Sequence, residues 1–136
     1  MRRLALVCVC AFALAGCGVE KDKQQAGQPC GAAPAALSGS PTLLPSTFPT
    51  PNGVVYVSEK KAGPSTIVDG FHPGDLTSTH DEYKAALSTG GYVITKDEQD
   101  VADSEIAFSG HSTTGQVAMK QGCADRTTLA ITIRPG

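Results

Sequence analysis

Tryptophan is absent from this chain of 136 residues, and four phenylalanines and three tyrosines are its only aromatics. Platforms on which sugar rings or bases stack are built from such side chains, so few anchors exist for either ligand. Basic charge is scarce as well. Eleven Lys and Arg stand against thirteen Asp and Glu, for a net charge of −2. Nucleic-acid binding runs on a surplus of Lys and Arg, and so does a polybasic grip on anionic lipid; the acidic balance argues against both. Long apolar runs are missing too. Leu4–Leu14 has eleven residues, whereas a helix needs roughly twenty to cross about 30 Å of hydrocarbon. Histidine occurs only at His72, His80 and His111, with gaps of eight and thirty-one residues. Zinc sites favour close pairs such as H-x₃-H, so these read as single exposed side chains.

What is present begins with "MRRLALVCVCAFALAGCGVE". Arg2 and Arg3 form a positive start, the eleven apolar residues follow, and the small residues Ala15 and Gly16 precede Cys17. The layout is that of a signal peptide over residues 1–16. A secretory cleavage site needs small residues but no cysteine. Leu14-Ala15-Gly16-Cys17 resembles the lipobox of bacterial lipoproteins, against the alternative of an ordinary secretory signal with a chance cysteine. The resemblance implies that diacylglycerol is attached to the Cys17 thiol and that signal peptidase II cuts before it. The protein would then be held on the extracytoplasmic side of the cell membrane by lipid. Each buried methylene is worth about 0.8 kcal/mol, so two or three long acyl chains hold firmly. Cleavage removes two basic residues and no acidic one, taking the net charge to −4.

The five cysteines then divide cleanly. By the lipobox resemblance Cys8 and Cys10 would leave with the leader and Cys17 would carry lipid, so that Cys30 and Cys123 remain. In an oxidising compartment the remaining pair predicts a Cys30–Cys123 disulfide, with free thiols or intermolecular pairing as the alternatives.

Residues 17–52 read as a lipidated tether rich in Pro, Ala and Gly. Six of the nine prolines lie there, with few large apolar residues to offset the cost of ordering. Its end, "LLPSTFPTP", carries Leu43, Leu44 and Phe48 and is suited to lie extended along the domain. Residues 53–136 read as one small domain. "VVYVSE" and "STIVDGF" are strand-like around a "KKAGP" turn, and "HPGD" breaks the second. A helix follows. Thr79 and Glu82 have capping-box spacing, with Asp75 as an alternative cap; Leu76, Tyr83 and Leu87 share a face, and Gly90 is the stop signal. The period then changes to two through "YVIT", "EIAFS", "TGQVAMKQ" and "TTLAITIR". The order ββαββββ predicts an α+β fold, one antiparallel sheet with a helix packed on one face. No internal repeat is evident.

Leader, Pro-rich tether, "FPTPNGVVY", "DEYKAALSTGGY" and the terminal "DRTTLAITIRP" together resemble a class of small bacterial lipoproteins, many of them actinobacterial. The resemblance spans Phe48 to Pro135. It implies no activity and brings no catalytic residue.

Candidate chemistry is thin. "DEQDVADSE" puts five carboxylates between Asp97 and Glu105, but it lacks the glycine of a calcium loop and reads as a solvated hairpin turn. "GHSTTG" fits neither G-x-S-x-G, since Thr114 stands at the last glycine, nor a P-loop, since Gln116 follows Gly115. No cofactor, metal or catalytic residue is expected. The function expected is a non-enzymatic binding or scaffolding module whose partner is an envelope protein or a cell-wall component. An inhibitor of an envelope hydrolase is the alternative, and a hydrolase the more distant one. Alternation puts Ile106, Phe108, Val117, Met119, Leu129, Ile131 and Ile133 on the helix side. Ala107, Gln116, Ala118, Lys120, Thr128, Ala130, Thr132 and Arg134 fall on the other. That second face, with three alanines and few charges, is the candidate binding surface; the bland alternative is an ordinary solvated face.

Overall fold

The computed structural model describes residues 26–136. The leader, the lipobox with Cys17 and the first part of the tether lie outside the described residues. The rest forms a single six-stranded antiparallel sheet with one helix in the order ββαββββ, an α+β fold. The strands are β1 (Val55–Ala62), β2 (Ser65–Pro73), β3 (Val93–Gln99), β4 (Asp103–Gly110), β5 (Thr113–Cys123) and β6 (Arg126–Pro135). The helix α1 (Leu76–Thr89) connects β2 to β3. Along the sheet the order is β1-β2-β6-β5-β4-β3, so the last strand is inserted between β2 and β5 and the first and third strands form the edges.

Strand alternation explains the two faces. Ile106, Phe108, Val117, Met119, Leu129, Ile131 and Ile133 are all buried and form one cluster with Leu76, Tyr83 and Leu87 of α1. That cluster is the core. Val68 joins it from β2.

The start of α1 differs from the expected capping box. Asp75 is the N-cap, its Oδ1 accepting the Ser78 N–H at 2.9 Å. This bond holds the Asp75 carboxyl below the usual carboxylate range. Thr79 lies fully buried in the first turn, where its hydroxyl donates back to the Asp75 carbonyl. Glu82 instead faces His72. At the other end Gly90 is the cap but keeps an ordinary φ of −73°, and the left-handed residue is Gly91 at 83°. Gly91 N–H donates to Ser88 O, and Tyr92 N–H to Leu87 O. This is a Schellman closure, whose C′ position needs φ above zero and therefore favours glycine.

The segment read as a tether is fastened to the domain along much of its length. Gln28 O accepts the Ala124 N–H at 2.9 Å, and Cys30 is bridged to Cys123 with Cα atoms 5.2 Å apart. Leu37 N–H then donates to Tyr56 O on the edge strand β1, and Glu59 accepts from Thr42 and Leu43. Finally Phe48, only 7% exposed, enters the core between Tyr92 and Phe108 at ring distances of 5.9 and 5.7 Å. The packed unit therefore starts before Gly53. The chain passes from the outer face at Cys123, around the β1 edge, to the inner face at Phe48.

His72 and His80, expected on the surface, are buried. His72 Nε2 contacts Asn52 O at 2.9 Å and Glu82 at 3.2 Å, while its Nδ1 lies 3.2 Å from the Thr79 hydroxyl. His80, 3% exposed, pairs through Nε2 with Asp97 at 2.8 Å. Burying an imidazole is tolerated because carboxylate and carbonyl oxygens accept from it. Only His111 is exposed.

Candidate functional site

The face of the sheet away from α1 carries a groove of about 750 Å³ lined by residues of all six strands. The register of the strands builds it. Reading across the sheet, Glu98, Glu105, Ala118, Ala130, Asp69 and Ser58 stand directly opposite one another, one from each strand in the order β3, β4, β5, β6, β2, β1. The row is thus two alanines flanked by carboxylates on both sides. A second row beside it runs Asp103, Lys120, Thr128 and Phe71.

The small alanine side chains leave the floor low, and longer side chains around them make the walls. At one end Arg126 lies over the Phe71 ring, 5.3 Å from its centre. Its guanidinium also donates to Gly31 O at 2.8 Å and to Ala32 O at 3.4 Å, so its charge holds the segment after Cys30 in place. Pro34 of that segment and Cys123 complete this end. On the opposite wall Lys96 Nζ bridges Glu98 at 2.9 Å and Glu105 at 3.0 Å. Glu98 and Glu105 face each other across β3 and β4, a pairing of like charges that is unfavourable alone. The shared ammonium offsets it, and the two carboxylates in turn push the Lys96 pKa up, Glu98 first. Asp69 Oδ2 accepts from the Ser58 hydroxyl at 2.9 Å.

All eight residues of the expected binding surface lie on this face. Ala118, Lys120, Thr128 and Ala130 line the groove. Ala107, Gln116, Thr132 and Arg134 line a smaller concavity of about 430 Å³. Sequence reasoning missed the carboxylates. Glu105 has the parity of Ala107, and Asp69 that of Phe71, so alternation can place both on this face.

The structure divides that acidic stretch three ways. Asp97 lies on the helix side, where Lys84 at 2.5 Å and His80 hold its carboxyl below the usual range, Lys84 foremost. Glu98 and Glu105 belong to the outer row. Asp100 N–H donates to Asp103 O at 2.8 Å and closes the hairpin. Among the described residues no three His, Cys, Asp or Glu side chains are placed to share a metal ion.

Gly110–Thr113 is a tight hairpin between β4 and β5. Its two central residues, His111 and Ser112, have φ of 50° and 56°, as a type I′ turn requires of residues that are usually Asn and Gly. His111 Nε2 donates to Gly90 O at 2.8 Å, and its ring packs on Tyr92 with centroids 4.8 Å apart. That imidazole is therefore tied to the end of α1 and holds the turn.

The fold and face together define a class: a small α+β sheet domain with one covered and one open, grooved face. Comparison with known protein families, with curated proteins and with solved structures finds no match. No helix among the described residues is long and apolar enough to cross a membrane.

Proposed function

We propose that this chain is a membrane-anchored envelope lipoprotein whose domain is a non-enzymatic binding or scaffolding module, with the open sheet face as its contact surface. An envelope protein is the partner class and lipid on Cys17 the anchor. The observation that carries the reading is the groove itself. An ordinary solvated sheet face is covered by long polar side chains, whereas this one has an alanine floor within charged walls. His111 is engaged by Gly90 O and by the Tyr92 ring, which supports a structural role for that imidazole.

Two experiments test the reading. Cys17→Ser is expected to leave the protein unprocessed, without acyl label from palmitate and released from the membrane fraction. Retention, processing and labelling equal to the parent would remove the lipoprotein assignment. In cells, Ala118→Gln and Ala130→Gln fill the floor without adding charge. They should keep circular dichroism and melting close to the parent while eliminating crosslinks formed through this face. Crosslinks that persist unchanged place the contact surface elsewhere.

A second reading has one observation in its favour. Val101, at the tip of the β3–β4 hairpin, is 91% exposed, and a protruding apolar side chain suits an inhibitor that plugs a hydrolase cleft. Loss of the crosslinked partner in Val101→Asp, with both glutamine variants inert, would favour the inhibitor.

A further inference from the structure

Accepting the groove as the contact surface, its charge pattern identifies what it takes. Five carboxylates line it, Asp69, Glu98, Asp100, Asp103 and Glu105, against the two cations Lys120 and Arg126. Arg126 is already turned to the carbonyl oxygens of Gly31 and Ala32. Lys96, bridging Glu98 and Glu105 on the same face, balances only part of their charge. The excess is negative, and it is arranged in register. Glu105 and Asp69 stand in one row, separated by Ala118 and Ala130. Three strand steps of 4.7–4.9 Å put the Cα atoms of those two residues about 14 Å apart.

We propose that the groove binds an extended, cationic segment of a partner protein, with Lys or Arg at positions i and i+4 and small residues between them. Extended chain advances about 3.3 Å per residue, so i to i+4 covers about 13 Å and matches the spacing of Glu105 and Asp69. The small residues in between come down on the alanine floor. The aliphatic stems of Lys or Arg lie along the walls while their heads reach the carboxylates, as amphipathic cationic side chains do. An amino-sugar polymer would bring the same charge. The face disfavours it: the only aromatic ring in the groove, Phe71, is covered by the Arg126 guanidinium, so no ring is open for sugar stacking.

The test uses the purified full chain in non-ionic detergent. The main probe is a short peptide with lysines at i and i+4 separated by glycine, alanine and serine. The comparison probes are the same composition with adjacent lysines, its glutamate counterpart, and a chitosan oligomer. The spaced lysine peptide should bind, weaken as salt rises, and outdo the adjacent-lysine peptide severalfold; the glutamate peptide should not bind. Asp69→Asn with Glu105→Gln, checked for an unchanged melting curve, should weaken the spaced peptide about tenfold, the effect of two partly exposed ion pairs. No binding of the spaced peptide, equal binding of both lysine spacings, or equal affinity in the double variant overturns the proposal. Chitosan binding without peptide binding overturns it in favour of the sugar. The glutamine variants at Ala118 and Ala130 keep the two levels apart. If they abolish the cellular crosslinks while the lysine peptide fails, the groove stands as a contact surface and only its ligand class falls.

Discussion

Replacing Cys30 and Cys123 together by serine is expected to lower the free energy of unfolding by about 4–5 kcal/mol, the chain-entropy value for closing a loop of this length. The bridge spans 93 positions of sequence and so restrains most of the unfolded chain. A domain this small, with few aromatics, has a modest core, and a loss of that size is a large share of the 5–15 kcal/mol typical of folded proteins. The native contacts around the bridge add to the effect. Gln28 O, Gly31 O and Ala32 O each accept a bond from the β5–β6 end of the sheet, and without the covalent link those bonds must order the segment unaided. The inner half of the same segment is held separately by Phe48 in the core, so unfolding should remain one cooperative transition. Urea denaturation of the full chain and of the double serine variant decides it. A difference under about 1 kcal/mol would mean that the strap's other contacts restrain the unfolded chain as well as the bridge does.

The groove should respond to the same change. Cys123 and Pro34 form part of its end wall, and Arg126 is positioned by carbonyl oxygens of the bridged segment. Release of that segment would leave the Arg126 guanidinium without those two acceptors, and so would tie the proposed contact face to the fastening of the tether.

How legible this architecture is in the sequence depends on how local each signal is. The period of two through Ile106 and Phe108, Val117 and Met119, and Leu129, Ile131 and Ile133 is local, and every one of those residues is buried as alternation requires. Strand order is not local. Nothing in "TTLAITIR" says that it pairs with β2 on one side and β5 on the other; its apolar face fits any central strand. Phe48 was obscured by its surroundings. Prolines at positions 45, 49 and 51 make the stretch look unfoldable, yet a chain that forms no regular structure can still place one ring in a core.

The histidines carry a different lesson. Leu76, His80, Tyr83 and Leu87 recur at the spacing of one helical face, so the pattern that selected the three apolar residues runs through His80. Its residue type outweighed its position. What makes the burial tolerable is Asp97, which lies seventeen residues later on an edge strand, and no helical pattern points to it. The same reason hid the groove. Its floor is legible from alternation within β5 and β6, but the carboxylates of its walls come from β2, β3 and β4 and meet only through register between strands.

Gly115→Ala is expected to be among the most damaging single substitutions, costing about 3 kcal/mol, the upper part of the range for overpacking a dense core. Gly115 lies on the helix side of β5, opposite Phe108 of β4 and Ile133 of β6. A methyl group there would overlap the Thr132 carbonyl oxygen and would stand 2.7 Å from Cζ of Phe108. Neither obstacle yields readily. Thr132 O belongs to β6, so moving it parts the two central strands. The Phe108 ring is 1% exposed and fixed between Tyr92 at 5.1 Å and Phe48 at 5.7 Å. The glycine is there for space, since its φ is not in the left-handed region. Gly31→Ala is the control: nothing lies within 4 Å of the added methyl, and stability should barely change. Adding Phe108→Leu to Gly115→Ala should recover part of the loss, because the two side chains compete for one volume and their effects cannot be additive. Thermal melts of the three variants give the answer. A Gly115→Ala protein as stable as the parent would mean that β5 and β6 separate without cost, and the close packing of Phe108 against the sheet would have to be abandoned as a main source of stability.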